Sequence, residues 1–304
     1  MDQKVLETRG LVKRYGRQAV VDHVSMSIQR GDIYGLIGQN GAGKTSLIRL
    51  ITSHSPIDGG EMCLLGESSP AGLQKARARL GCIVEAPAFY PSLTATQNLE
   101  YYRLQKGIPS KDCVAQALKV VGLSGTGNKK FKHFSLGMKQ RLGLALSILD
   151  HPDFIILDEP INGLDPTGII EVRETLKRLN AQGITIFISS HILPELAQIA
   201  TRYGFIHKGR LLKEITDAQL KEACRCALHI EVDDAAKACA ILEAEMKITD
   251  YKVVCEKGLR VYSHLDLSAQ IAKRLFESGL LVRSIHEVGD TLEDYYTALI
   301  REVH

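Results

Sequence analysis

One segment constrains the fold of this chain more than any other: Gly38 to Thr45, which reads GQNGAGKT. It matches the pattern GxxxxGK[ST], follows the apolar run Ile33 to Ile37 and precedes a helical pattern. Glycine is needed where the backbone passes so close to a phosphate that a Cβ would collide, and where φ is positive. The segment therefore predicts a strand, a phosphate cradle and a helix in succession, in preference to a plain glycine-rich turn.

Residues of this loop have expected parts in binding a nucleoside triphosphate with Mg²⁺. Lys44 supplies a cation to the β- and γ-phosphates, Thr45 supplies a hydroxyl to Mg²⁺, and the helix that follows presents its positive end. The predicted binding residues of the loop are Gly38, Asn40, Gly41, Ala42, Gly43, Lys44, Thr45 and Ser46.

Two adjacent carboxylates form a second candidate site. Asp158 and Glu159 directly follow the apolar run Phe154 to Leu157, where two charges would be costly without a cation to face. We expect Asp158 to hold Mg²⁺, commonly through water, and Glu159 to act as general base toward the attacking water. The alternative is that both residues only cap the next helix. His191 ends another apolar run and is expected to hydrogen-bond the γ-phosphate, so Lys44, Glu159 and His191 are the predicted catalytic residues.

Residues 1–215 alternate apolar strand-like runs with helical stretches, which is typical of a sheet covered by helices. The runs are continuously apolar, as expected for a mostly parallel core sheet buried on both faces. The stretch 94–133 reads as mostly helical and interrupts the strand pattern. Beyond residue 216 the order strand, helix, strand, strand, helix, strand with an extra helix predicts a small ferredoxin-like α+β domain over 216–304.

The overall composition limits the classes of protein to which this chain can belong. The chain has 304 residues, 45% hydrophobic and 24% charged, which is typical of a globular protein with two domains. It has no apolar stretch of about 18 residues and no secretion signal, so we expect a cytoplasmic protein. A net charge of +3 gives no support for nucleic-acid binding. The seven cysteines lack CxxC pairs and are interpreted as reduced, and Cys224 and Cys226 lack the histidines of a zinc site.

The stretch Phe134 to Arg141, FSLGMKQR, resembles the LSGGQ signature of the ABC ATPases, and the motifs of that family follow in the expected order through about residue 215. The resemblance implies the P-loop ABC cassette fold, with an antiparallel β subdomain and a helical subdomain at about 86–150. It also implies ATP hydrolysis between two head-to-tail cassettes, in which the Ser135 and Gly137 region of one protomer contacts the ATP of the other.

Two further motifs are similar to those of the family. Asn162 to Asp165 looks like the D-loop, which communicates across the cassette dimer, and Tyr15 matches the aromatic residue that stacks on adenine. Plain strand packing is the alternative for Tyr15. The resemblance thus adds Tyr15, Ser135, Gly137 and Asp165 to the expected ATP site.

Two departures from the common pattern of the ABC ATPases indicate a particular subgroup of that family. Glu85 stands where most ABC ATPases carry glutamine, and the signature reads SLGM in place of SGGQ. Both variants, with a C-terminal extension that contains Leu292 to Tyr296, resemble the bacitracin-export and lantibiotic-immunity group, which implies export of, or self-protection against, a peptide antibiotic. A carboxylate accepts hydrogen bonds and cannot donate them. Glu85 is therefore a candidate Mg²⁺ ligand near the γ-phosphate that couples the metal to the membrane partner, or else a harmless loop variant.

The resemblance also implies two partners: a second cassette, and a membrane-spanning subunit that holds this chain at the cytoplasmic face of the membrane. An aromatic-rich stretch after Glu85 is the expected docking groove for a helix of that subunit, unless it packs the core of the helical region. Its members are Pro87, Phe89, Tyr90, Leu93, Leu99, Tyr101 and Tyr102. The C-terminal domain is expected to support the dimer or to regulate it.

Three other functions remain as alternatives. The first is a soluble ABC ATPase that acts on ribosomes or nucleic acid, although the chain has one cassette and no long basic run. The second is an inactive nucleotide-binding regulator, which the intact Lys44, Asp158 and Glu159 oppose. The third is an ABC exporter of an unrelated substrate.

Overall fold

Residues 3–84, 88–289 and 291–302 are described by the structure, which is a computed structural model. The chain divides into two units, Met1–Asp217 and Ala218–His304. Within the described ranges, none of the helices combines the length and the apolar character needed to span a membrane.

Two sheets hold the strands of the first unit. In chain order these strands are β1 Lys4–Tyr15, β2 Gln18–Gln29, β3 Ile33–Ile37, β4 Gly59–Leu64, β5 Leu80–Ile83, β6 Phe154–Asp158, β7 Thr185–Ser190, β8 Arg202–His207 and β9 Arg210–Thr216. The core sheet has the order β5-β6-β7-β3-β8-β9, and the smaller sheet has the order β2-β1-β4. The core sheet is parallel apart from β9, which pairs antiparallel with β8. The predicted mostly parallel sheet with an antiparallel β subdomain is confirmed.

Burial on both faces explains why polar and apolar residues do not alternate along the central strands. Every residue of β3, β6 and β7 is buried. Helices cover this unit, and in chain order they are α1 Lys44–Ile51, α2 Pro70–Ala78, α3 Ala95–Gln105, α4 Asp112–Val120, α5 Leu136–Ser147, α6 Pro166–Ala181 and α7 Leu193–Leu196. A strand covered on both faces gains from apolar side chains at every position, so its sequence reads as a continuous apolar run.

Helix α1 packs against both sheets. Its Leu47 and Ile48 belong to the same buried cluster as Leu6 and Val24 of the smaller sheet and Ile156 of the core sheet. The start of α1 is therefore fixed relative to the ends of the core strands. This packing positions the glycine-rich loop that joins β3 to α1.

The region between β5 and β6 is helical in the part that the structure describes, as the sequence predicts. Helix α3 begins with a capping box in which Thr94 and Gln97 satisfy each other's backbone amides. The fully buried Asn98 accepts a hydrogen bond from the Tyr90 amide at 2.8 Å and donates to the Tyr90 carbonyl at 3.2 Å. Asn98 thus fixes the segment that leads into α3.

The second unit has the ferredoxin-like order of elements. In chain order these are β10 Ala227–Val232, α9 Ala235–Met246, β11 Tyr251–Cys255, β12 Gly258–Val261, α10 Ser268–Glu277 and β13 Val282–Val288. Helix α8 Asp217–Ala223, which begins at the last residue of the first unit, precedes them, and helix α11 Leu292–Glu302 follows them. The four-stranded sheet has the order β11-β12-β10-β13, and every neighbouring pair is antiparallel. This is the strand order produced by two split βαβ units, so the predicted α+β fold is confirmed.

Candidate functional site

The candidate site lies at the carboxyl ends of three neighbouring strands. In the core sheet β7 lies between β6 and β3, and all three run parallel. Their carboxyl ends therefore meet at one edge of the sheet, where open α/β sheets bind ligands. The glycine-rich loop follows β3, the carboxylates end β6, and a serine pair ends β7.

The loop has the geometry of a phosphate cradle. Gly41 and Gly43 have φ of 81° and 107°, which favours glycine. A Cβ on Gly38 would lie 2.7 Å from the Ile206 carbonyl oxygen, and one on Gly43 would lie 2.5 Å from the Val20 carbonyl oxygen. A cleft of about 340 Å³ opens over this loop. Its lining residues are Val20, Asn40, Gly41, Ala42, Gly43, Lys44, Thr45, Ser46 and Glu159.

Lys44 is buried at the floor of the cleft. Its Nζ donates to the Gly38 carbonyl oxygen at 2.6 Å and to that of Gln39 at 3.3 Å. The same ammonium forms an ion pair with Glu159 Oε1 at 3.2 Å. The loop and the end of β6 are thus joined through one cation.

Asp158 and Thr45 lie side by side, as a shared Mg²⁺ site requires. The Thr45 hydroxyl donates to Asp158 Oδ2 at 2.7 Å. A hydroxyl and a carboxylate are hard oxygen donors that suit Mg²⁺, which usually takes one or two carboxylates, waters and substrate phosphates. The described residues contain no cluster of three or more metal-binding His, Cys, Asp or Glu. These two residues fit a metal that is held jointly with a nucleotide.

Glu159 is held in a strained conformation. Its φ is 49°, and its amide donates to the hydroxyl of Ser189 at 3.1 Å. His191 Nδ1 lies 2.9 Å from Glu159 Oε2. One carboxylate therefore lies between Lys44 and His191, and the three predicted catalytic residues form one contiguous group.

Ser189 is a site residue that the sequence analysis missed. Its hydroxyl donates to Asp158 Oδ1 at 2.5 Å and accepts from the Glu159 amide, so it orients both carboxylates. The available signal was weak: a serine pair that ends an apolar run, just before His191. Only the pairing of β7 with β6 reveals which serine faces the carboxylates.

The signature residues form a separate group. Ser135 caps the start of α5, and its side chain accepts from the Met138 amide at 3.3 Å. A Cβ on Gly137 would lie 3.7 Å from Leu164, and Asp165 caps α6. Among the described residues, neither Ser135, Gly137 nor Asp165 lines the cleft over Lys44.

The structure describes Tyr15 but not Glu85. Tyr15 ends β1 with its side chain 52% exposed, and its hydroxyl lies 3.3 Å from Ser55 Oγ. The Lys13 ammonium lies 5.5 Å from the centre of its ring. The exposed ring is available for stacking, and buried strand packing does not describe it. Glu85 lies outside the described residues.

The fold and the cleft define a P-loop nucleotide-binding protein. A family model for the ABC transporter matches residues 21–162. The bacitracin transport ATP-binding protein BcrA of Bacillus licheniformis is 42% identical over 297 residues, which are 97% of each chain. The lantibiotic transport ATP-binding protein SrtF of Streptococcus pyogenes is 40% identical over 69% of this chain and 90% of its own. A solved ATP-binding subunit of an ABC transporter superposes with a TM-score of 0.64 and 28% identity over 72% of this chain and 92% of its own.

This chain belongs to the ABC transporter ATP-binding proteins. It is an ATPase cassette that hydrolyses ATP, and it is similar along nearly its whole length to a bacitracin transport protein.

Replacing Ser189 by alanine should reduce ATP hydrolysis. The Ser189→Ala change removes one hydrogen bond to Asp158 and one of the two acceptors of the Glu159 amide, which keeps the Ser189 carbonyl oxygen at 3.2 Å. Loss of such a supporting contact typically costs about 10- to 100-fold in activity or metal affinity. Phosphate release measured across a Mg²⁺ titration checks this. Ser190→Ala is the matched control, because the Ser190 hydroxyl accepts from the Ile192 amide at 2.9 Å. Equal rates and equal Mg²⁺ dependence in Ser189→Ala and the parent chain would contradict the assignment.

Proposed function

We propose that this chain powers an ABC transporter that exports a peptide antibiotic of the bacitracin or lantibiotic class, or protects the cell against it. The observation that carries this proposal is the 42% identity to a bacitracin transport protein over 97% of both chains, which includes the second unit. A likeness that ended with the cassette would support only the common ATPase. The same similarity favours this function over a ribosomal or nucleic-acid ATPase.

The geometry of the site supports a separate role for each of its residues. Lys44 and the amides of the loop bind the phosphates, and Thr45 and Asp158 would hold Mg²⁺, which would supply further positive charge to the phosphates. Glu159 orients and deprotonates the attacking water, while His191 holds the Glu159 carboxylate through their 2.9 Å contact. Tyr15 presents its exposed ring to the adenine.

In this mechanism the Lys44 ammonium has two possible anionic partners, the Glu159 carboxylate and the γ-phosphate of ATP. A γ-phosphate at the loop competes with Glu159 for the Lys44 ammonium, because both are anions and the 3.2 Å contact places that ammonium inside the cleft. Binding of ATP then leaves Glu159 free to face water. Glu159 is thereby released to act as general base only when ATP is bound.

The signature group completes the site in a second protomer. Ser135 sits at the start of α5, where unpaired amides and the helix dipole favour an anion. Leu136 is exposed beside it. Because Ser135 and Gly137 line no part of the described cleft in their own chain, we place them against the γ-phosphate held by the other cassette.

The Glu159→Gln variant should associate in the presence of ATP and Mg²⁺. Glutamine removes the general base and the negative charge that faces the γ-phosphate, so ATP persists and holds two chains together. Light scattering after size exclusion should show twice the monomer mass with ATP and the monomer mass without it.

Adding Ser135→Arg to Glu159→Gln provides the control, since a bulky cation at the second cradle should block association while ATP binding persists. Should Glu159→Gln remain monomeric with ATP bound, even when the membrane subunit is present, the paired arrangement is wrong.

The segment before α3 separates core aromatics from exposed ones. Phe89 is 8% exposed and packs edge-on to Tyr102 and against Phe131, with ring centroids 5.8 and 5.1 Å apart. Phe89 and the buried Leu99 belong to the core of the helical region, so the docking prediction was wrong for them. Pro87 lies outside the described residues.

Tyr90, Tyr101 and Leu104 form an exposed apolar patch, and we place the membrane subunit there. Tyr90 and Tyr101 are 43% and 42% exposed, with ring centroids 4.8 Å apart. The hydrogen bond with Tyr101 raises the pKa of the Tyr90 phenol, so the Tyr90 ring stays neutral at physiological pH. A neutral, aromatic patch fits an amphipathic helix of the partner.

Tyr90→Asp should weaken co-purification with the membrane subunit by about tenfold or more, because a charge at the centre of an aromatic contact must be desolvated. ATP binding should not change. Phe276→Asp, at an exposed phenylalanine of the second unit, is the control and should leave co-purification intact. If Tyr90→Asp impaired ATP binding and co-purification equally, the patch would be structural.

Protection from antibiotics tests the substrate class. Expression of this chain with its membrane subunit in a sensitive host should raise the inhibitory concentration of bacitracin or of a lantibiotic several-fold, and Lys44→Ala should abolish the effect because the phosphates lose their buried cation. Growth inhibition curves measure this. An unchanged inhibitory concentration for every envelope-active peptide, with normal ATP turnover, would reject the peptide substrate and retain the ATPase.

A further inference from the structure

A row of basic side chains crosses the sheet of the second unit. Register places Lys252 of β11 opposite Arg260 of β12, Arg260 opposite His229 of β10, and His229 opposite His286 of β13. Directly opposed residues point to the same face of a sheet. The row therefore contains one basic residue from each of the four strands, and at about 4.8 Å per strand it is about 14 Å long.

The row occupies the face that the buried core of this unit does not use. Leu228 and Ile230, on either side of His229, and Leu259 and Val261, on either side of Arg260, belong to the core cluster with residues of α9 and α10. Since side chains alternate along a strand, the row points away from α9 and α10.

These groups have few partners. His229 Nδ1 and Arg260 Nε are buried without a hydrogen-bond partner. Within the described ranges, no carboxylate pairs with Lys252 or Arg260. The carboxylate of Glu231 lies 3.8 Å from His229 Nε2, and Asp250 is engaged by Arg225. The His229 and His286 rings contact each other with centroids 5.4 Å apart.

Such an arrangement costs stability when no anion is bound. Like charges directly opposed across strands destabilise a sheet, and a buried donor without an acceptor carries its full desolvation penalty. An anion on the row offsets the first of these costs, because it neutralises the opposed cations. Arginine favours phosphate oxygens because its planar group donates two parallel hydrogen bonds.

We propose that this row is a binding site for an anion with two or more linked phosphates, in addition to the ATP site of the cassette. Its length of about 14 Å exceeds what one phosphate group can contact, so a linked chain of phosphates satisfies more of the row. His229 and Arg260 contact the centre of the anion, and Lys252 and His286 its ends.

Calorimetric titration of the full-length chain with inorganic pyrophosphate tests the site. The Lys44→Ala background removes the cation of the cassette loop, so that binding there does not dominate. We expect saturable binding, about tenfold tighter for pyrophosphate than for orthophosphate. Arg260→Gln and His229→Gln, each added to Lys44→Ala, should weaken pyrophosphate binding by about tenfold, because each removes a charge-assisted hydrogen bond.

Two controls separate binding from folding and from general charge. Lys273→Gln removes an exposed cation from α10, a helix of the opposite side, and should leave the affinity unchanged. Without anion, Arg260→Gln should melt at the same or a higher temperature, because it relieves repulsion in the row. Absence of saturable binding to Lys44→Ala, unchanged affinity in Arg260→Gln, or an equal loss in Lys273→Gln would each overturn the proposal.

Discussion

The buried cation Lys44 is the interaction on which the rest of the cassette depends. Its ammonium joins the backbone of the loop after β3 to the Glu159 carboxylate after β6, two segments more than a hundred residues apart in the chain. Buried ion pairs seldom add net stability, because both partners lose their hydration. The benefit of this pair is position: it holds a phosphate-binding cation and a candidate general base on either side of one cleft, ready for an anion to separate them.

Strain and support are distributed around that pair. Glu159 adopts a positive φ that a residue with a side chain rarely takes, and such strain persists where the surroundings enforce it. Here Ser189 holds Glu159 in this conformation, because its hydroxyl contacts both the Asp158 carboxylate and the Glu159 amide. Because Ser189 belongs to β7, the central strand between the two motif-bearing strands, the geometry of the site follows from the order of strands in the sheet.

The remainder of the chain presents surfaces to partners. In the helical region, adjacent aromatics have opposite environments: Phe89 is buried by Tyr102 and Phe131, whereas Tyr90 is exposed. Asn98 sets this difference, because it anchors the Tyr90 backbone and thereby fixes which ring points inward. In the second unit, the alternation of side chains along each strand separates an apolar face under α9 and α10 from a basic face. Since a bacitracin transport protein aligns with 97% of this chain, that unit belongs to the comparison as much as the cassette does.

The local structures and the chemistry at their ends could be predicted from the sequence alone. Glycine spacing predicted the cradle before α1, continuous apolar runs predicted buried strands, and the order of elements predicted the ferredoxin-like unit, because each depends on residues near one another in the chain. Tertiary structure alone decided which distant groups meet. The contact of Ser189 with Asp158, the pairing of Lys44 with Glu159, the burial of Phe89 beside an exposed Tyr90, and the basic row through Arg260 all depend on strand order and register. Those are set by packing across the whole unit, and no short stretch of sequence encodes them.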